Sequence, residues 1–101
     1  MSRYTIYITP ETFQSIKNLP GSIRQRIKPA IQNFAEEPRP SQSKQLNLPD
    51  FEQELWRLRL DSWRIIYVIS QADKVIDVLA VRKRPPYDYG DLQTLLEQLE
   101  E

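Results

Sequence analysis

Neither cysteine nor histidine occurs in this 101-residue sequence. The first absence excludes a disulfide framework and a thiolate metal site. Together they argue against structural zinc and remove the side chains most used for nucleophilic attack and for proton transfer near neutral pH. Net charge is lacking too, since 14 lysines and arginines balance 14 aspartates and glutamates. Such a chain has no strong long-range attraction for nucleic acid, so any polyanion has to be held locally. No apolar run approaches the ~20 residues that cross a bilayer. The N-terminus, SRYTIYIT, alternates like a strand and lacks the apolar centre of a signal peptide. These features predict a cytoplasmic protein without membrane association, cofactor or metal. Residues 1–101 fit one domain, long enough to bury roughly 65% of its unfolded surface.

What is present is concentrated in LWRLRLDSWRIIYVI, Leu55 to Ile69. Strand side chains repeat every two residues, so Arg57 and Arg59 share one face while Trp56, Leu58 and Leu60 share the other. If Asp61-Ser62 is a two-residue hairpin loop, Leu60 sits opposite Trp63 and Arg59 opposite Arg64. Three arginines then occupy one sheet face, with Trp56, Leu58, Leu60, Trp63, Ile65, Tyr67 and Ile69 on the other. The pattern describes an anion-binding surface over a hydrophobic core.

Along the rest of the chain, Tyr4 to Thr9 reads as a strand. Thr9-Pro10-Glu11 is a helix start, with a hydroxyl cap, proline at the first helical position and an acid in the first turn. That short helix should end at Pro20-Gly21. A second begins near Ser22 and places Ile23, Ile27, Ile31 and Phe34 in one stripe. Pro29 predicts a kink or break, with the second half running to about Glu37, because an internal proline costs ~3 kcal/mol. The proline-rich stretch from Pro38 to Pro49 reads as a loop, long enough to be functional or mobile. Strands are expected at 54–60, 63–70 and 74–83, the last apolar enough to be covered on both faces. Leu92, Leu95, Leu96 and Leu99 form the stripe of a C-terminal helix. The order β-α-α-β-β-β-α predicts a small α+β domain: a helical hairpin on a mainly antiparallel four-stranded sheet, followed by that helix.

Charge is unevenly spread. From Leu55 to Arg84 there are seven basic residues and three acidic ones, whereas from Pro85 onward there are five acids and no base. A second basic cluster, Arg82-Lys83-Arg84, closes the last strand and is followed by Pro-Pro-Tyr87-Asp88-Tyr89. Strand ends and the loops after them are where a rigid scaffold presents functional groups. Charges at a strand end also simply discourage edge pairing, and arginines on a polar sheet face are commonly solvated. Convergence of five arginines beside tyrosines favours the functional reading. Tyr67 reads as core, and Tyr4 and Tyr7 as packing residues.

The segments WRLRLDSWRIIY and RKRPPYDY, with the element order around them, resemble the RelE/ParE superfamily of bacterial toxins over nearly the whole chain. The resemblance implies a toxin of a type II toxin–antitoxin system. In the RelE branch that means a ribosome-dependent, metal-independent mRNA endoribonuclease that inhibits translation and is neutralised by a cognate antitoxin. It implies Arg64, Arg84 and Tyr87 (or Tyr89) as the catalytic set, with Arg57, Arg59, Arg82 and Lys83 binding RNA. The implied partners are the antitoxin, the ribosome and mRNA, with operator DNA reached through the antitoxin. A ParE-like inhibitor of DNA gyrase without nuclease activity is the alternative. A degenerate toxin retained as antitoxin partner or corepressor is a third reading.

The chemistry fits the residues available. RNA is cut without a metal when its 2′-hydroxyl attacks the adjacent phosphate, which requires a base, cations around the phosphorane and a proton for the leaving oxygen. Arginine forks pair bidentately with phosphate oxygens. Without histidine, the base must be a tyrosinate or a group of the substrate or ribosome. Lowering a tyrosine from ~10 to ~7 requires about 4 kcal/mol. One exposed cation supplies ~1 kcal/mol. The free domain is therefore expected to be a poor nuclease.

Overall fold

The computed structural model describes residues 3–46 and 53–83. Strand β1 (Thr5–Ile8) leads into helix α1 (Pro10–Lys17) and helix α2 (Gly21–Asn33). Four strands follow: β2 (Ser43–Leu46), β3 (Glu54–Leu60), β4 (Trp63–Ser70) and β5 (Val75–Lys83). The start of α1 is as the sequence predicts. Thr9 caps it by accepting from the Thr12 amide at 3.2 Å, with Pro10 at its first position.

Of the kink or break expected at Pro29 there is no break: helix α2 runs through it, and ends at Asn33 rather than near Glu37. Pro29 and Gln25, whose carbonyl loses its helical donor, are both exposed, so water can satisfy that carbonyl. Ile27 and Ile31, buried on either side of the proline, anchor both halves to the sheet.

The strands form one five-stranded sheet in the order β1-β5-β4-β3-β2. Only β1–β5 is parallel; the other pairs are antiparallel. The sequence pattern predicts four strands, and the fifth is β2, inside the stretch that reads as loop. Its polar sequence, SKQL, has no apolar alternation to betray it. It is held at the edge from outside. Arg39 forks onto Glu54, with Nη2 at 2.9 and 2.7 Å from the two carboxylate oxygens and Nε at 3.1 Å. The same guanidinium lies 5.7 Å from the Trp56 ring centre, and Trp56 Nε1 donates to Glu54 at 3.1 Å. Burial pushes the Glu54 carboxyl up, but the hydrogen bonds from Arg39 and Trp56 outweigh it and leave it below its ordinary range. This clamp brings the chain before β2 onto β3. The expected C-terminal helix lies outside the described residues.

The helix-facing side of the sheet carries the core. Ile23, Ile27, Ile31 and Phe34 pack against Leu58, Ile65, Tyr67, Ile69, Ile76, Val78 and Val81. Phe34 stacks on Tyr67 with ring centres 4.1 Å apart. Tyr67 is fully buried, as expected, and its hydroxyl donates to the Pro38 carbonyl at 2.8 Å. Burial pushes its pKa up to about 12. Tyr4 packs at the core edge, but Tyr7 is 57% exposed, because alternation along β1 turns it to the opposite face. Strand β5, flanked on both sides, buries Ile76 and every residue from Val78 to Val81, as its apolar run implied.

Within β5 the register shifts. Tyr67 pairs with Val78 but Ile66 pairs with Ala80, leaving Leu79 as an extra residue. A bulge of this kind reverses the facing of everything beyond it. Val78 faces the helices; in a regular strand Ala80 and Arg82 would do so too, and the bulge turns them to the far side. The Leu79 carbonyl accepts a 2.6 Å hydrogen bond from Oγ1 of Thr12, the buried threonine of α1, which itself accepts from Thr9 Oγ1 at 2.7 Å. Thr12→Val would leave that carbonyl short of a donor. It should lower stability by ~1–3 kcal/mol, read as a shift in the urea midpoint.

Asp77 pairs with Val68 on one side and Tyr7 on the other, and burial raises its pKa. A carboxyl raised on folding disfavours the native state wherever it is ionised, and the penalty disappears as pH falls below the unfolded value of about 4. Asp77→Asn should therefore be more stable than the parent at neutral pH. The difference in urea midpoint should shrink to nothing on acidification through the carboxylate range.

Candidate functional site

Opposed residues on neighbouring strands share a face, so the register orders the far side of the sheet in rungs. Nearest the β3–β4 turn, Arg59 pairs with Arg64 and Arg64 with Arg82. Gln42 joins this rung, its carbonyl accepting from the Arg59 amide at 3.2 Å and its Oε1 from Arg59 Nη2 at 3.5 Å. The next rung is Lys44, Arg57, Ile66 and Ala80. The third is Leu46, Leu55, Val68, Asp77 and Tyr7. Successive rungs are about 7 Å apart, two residues of strand. The face is thus basic at one end and apolar at the other, with Leu55, Ile66 and Val68 buried on it. The sequence pattern places three arginines on this side; the apolar end adds Leu55, Ile66 and Val68.

Like charges directly across a strand pair repel, by roughly 0.2–1 kcal/mol per pair. The Arg59–Arg64–Arg82 rung contains two such pairs, and a bound anion would relieve both. The side chain of Arg57, half-buried in the next rung, has no hydrogen-bond or ion-pair partner among the described residues. Arg64 is oriented by the turn beside it, its Nη1 donating to the carbonyls of Asp61 at 2.8 Å and Trp63 at 2.9 Å. Leu60 does pair with Trp63 across a two-residue loop, as expected. Asp61 supplies the positive φ, 53°, which aspartate tolerates better than most residues.

Next to the first rung is a cavity of about 360 Å³ lined by Arg26, Gln42, Arg59, Leu60, Asp61 and Arg64. Arg26 reaches it from α2 and is ion-paired with the Asp61 carboxylate. On the helix side of the molecule, an apolar groove of about 460 Å³ lies between α1 and α2. Ile8, Phe13, Ile16, Ile27 and Ile31 line it, with Lys17, Arg24 and Lys28 at its margin, and Phe13 is 50% exposed.

Of the residues expected to act, the sheet gathers Arg57, Arg59, Arg64 and Arg82 on one face. Lys83 is not with them. It pairs with Trp63 and falls on the helix-facing side, because the bulge sets its facing as well as that of Arg82. Arg84, Tyr87 and Tyr89 lie outside the described residues. Sequence reasoning missed Gln42, Lys44 and Arg26. The first two depend on recognising β2; the third depends on a tertiary approach with no local signature.

The comparisons agree with this architecture. A chain of the archaeal RelE–RelB complex from Pyrococcus horikoshii OT3 superposes with a TM-score of 0.74 and 26% identity, over 86% of this chain and 100% of that one. A chain of the RelBE2 toxin–antitoxin complex from Mycobacterium tuberculosis gives 0.67 at 20% identity, over 81% and 99%. A mutant of the Escherichia coli toxin RelE in its free state gives 0.68 at 18% identity, over 96% and 98%. No curated protein matches the sequence. The model of the ParE toxin of type II toxin–antitoxin systems matches residues 6–85, including both helices and all four gathered arginines. The chain belongs to that family, as a type II toxin of the RelE/ParE superfamily.

Proposed function

We propose that this toxin is an mRNA endoribonuclease acting on the ribosome, with the Arg59–Arg64–Arg82 rung as its phosphate grip. The observation that carries the reading is the register itself, which sets three guanidinium-bearing residues side by side across three strands. Arginine forks match the geometry of a phosphate and of the phosphorane formed when a 2′-hydroxyl attacks it. Arg64 and Arg84 stabilise that charge, Arg57, Arg59 and Arg82 hold the RNA backbone, and Tyr87 orients or activates the 2′-hydroxyl. Tyr67 is unsuited to the last role. It is fully buried on the helix side, its hydroxyl already donates to Pro38, and its pKa near 12 keeps it protonated. Ribosomal surroundings would complete the site, since a chain without histidine lacks the side chain that most readily takes a proton near neutral pH.

The second reading is inhibition of DNA gyrase without cleavage, favoured by the family model that matches, which is that of ParE. In either case the antitoxin is the expected partner. The groove between α1 and α2, apolar inside and basic at its margin, fits an amphipathic, acidic segment of it. The half-exposed Phe13 would be an anchor.

Primer extension on transcripts after induction separates the two activities. Discrete cleavages are expected; intact messages with DNA damage would establish gyrase as the target instead. Arg64→Ala combined with Arg84→Ala should relieve growth arrest, and a fully toxic double variant would show the site assignment to be wrong. Arg59→Gln should weaken toxicity while leaving the thermal midpoint unchanged or slightly raised, because it removes a repulsive pair. Phe13→Asp should reduce antitoxin affinity at least tenfold by calorimetry without reducing toxicity.

A further inference from the structure

The cavity at the β3–β4 turn has a composition that folding does not explain. Arg26 leaves α2 and Asp61 leaves the turn, and they meet as an ion pair whose side chains are 49% and 66% exposed. A pair so open to solvent contributes little to stability. Around it stand Arg59 and Arg64, both members of the arginine rung, and Gln42. Three arginines and one carboxylate therefore surround a polar hollow of about 360 Å³ that opens beside the first rung. The Asp61 carboxylate is the only anionic group among the described lining residues.

We propose that this cavity is a second phosphate subsite, taking the phosphodiester next to the one held at the rung, and that Asp61 is its internal stand-in. In the unliganded chain Asp61 neutralises Arg26. When RNA lies along the face, an incoming phosphate shares or replaces that carboxylate and recruits Arg26 to the backbone. The inference rests on the reading of the arginine face as an RNA site, and adds to it a residue from the helical layer. Asp61 then has two roles: its carbonyl orients Arg64 at 2.8 Å while its carboxylate holds Arg26 in reserve.

Two roles for the ion pair make opposite predictions. If it is only a structural tie, breaking it from either side has the same consequence. If it guards a phosphate subsite, removing the cation weakens RNA binding and removing the anion strengthens it. The test is fluorescence anisotropy of the full chain with a labelled single-stranded RNA of about ten nucleotides, over salt from about 50 to 300 mM. Arg26→Gln should lower affinity about five- to tenfold and reduce the slope of log K against log salt by about one, whereas Arg26→Lys should keep most of the slope. Asp61→Asn, which preserves the positive backbone angle, should tighten binding severalfold. Circular dichroism melts should show all three variants folded. Shifts of the same sign for Arg26→Gln and Asp61→Asn would overturn the proposal, as would an unchanged slope in Arg26→Gln. Weaker binding to an acidic antitoxin peptide with RNA binding unaltered would also overturn it, assigning the cavity to that partner. Arg59→Gln separates the two levels. If it weakens RNA binding while Arg26→Gln does not, the face reading stands and the subsite falls; if the unaltered chain shows no salt-dependent RNA binding, the face reading itself fails.

Discussion

The geometry of the basic face depends on one extra residue in β5. Leu79 interrupts the pairing with β4, and its carbonyl is held by the hydroxyl of Thr12 from α1. Because strand facing has a period of two, this insertion decides on which side of the sheet Arg82 lies. Without it, Arg82 would share the facing of Val78 and put a guanidinium among the isoleucines beneath α2. With it, Arg82 completes a row with Arg64 and Arg59, while Val81 takes the core position opposite Ile65. The first turn of α1 therefore contributes to the candidate site without belonging to it. Thr9 caps the helix and Thr12 is placed by that cap, so a local sequence signal is transmitted across the layer interface to the far face.

Like charges stand side by side in the row, and fixed dipoles orient two of its members. The carbonyls of Asp61 and Trp63 take up part of the Arg64 guanidinium, and Gln42 takes up part of that of Arg59. Neutral dipoles of this kind orient a cation without cancelling its charge. The two carboxylate clamps serve different ends: Glu54 with Arg39 is partly sheltered, bidentate and structural, whereas Asp61 with Arg26 is open to solvent. The sheltered clamp fixes the chain before β2. That strand in turn brings Gln42 and Lys44 to the edge of the arginine rungs.

Much of this is legible in the sequence, for identifiable reasons. The hairpin register follows from the alternation over Trp56–Ile65 once Asp61-Ser62 is taken as a two-residue loop, so Arg59 opposite Arg64 can be read from the residues. The cap of α1 and the apolar stripe of α2 are equally local. What the pattern hides is set by tertiary contact. SKQL pairs because Arg39 and Glu54 draw its neighbours together, not because its residues alternate. The bulge is hidden in Val78-Leu79-Ala80-Val81, where every residue is apolar and a change of phase leaves no trace. Pro29 weighs less than its propensity implies, since an exposed proline flanked by two buried isoleucines loses one hydrogen bond but keeps its anchors. The three arginines mark only one end of their face; Ile66, Val68 and Leu55 make the other end part of a buried layer.

A zero net charge with a local arginine row has a mechanistic implication. The chain cannot rely on long-range steering to find a polyanion, because opposing charges elsewhere balance the row and salt screens it within about one Debye length, ~8 Å at physiological ionic strength. On the proposed reading, grip comes from close contact, where forks align on phosphate oxygens and water is displaced. A phosphate is held well under those conditions only when something else confines the strand first. Tyr67, with its pKa pushed up to about 12 by burial, is no base, which argues in the same direction. On the proposed reading, a chain that supplies oriented cations but has neither net charge for steering nor histidine is suited to chemistry completed by the surface on which its substrate is already held.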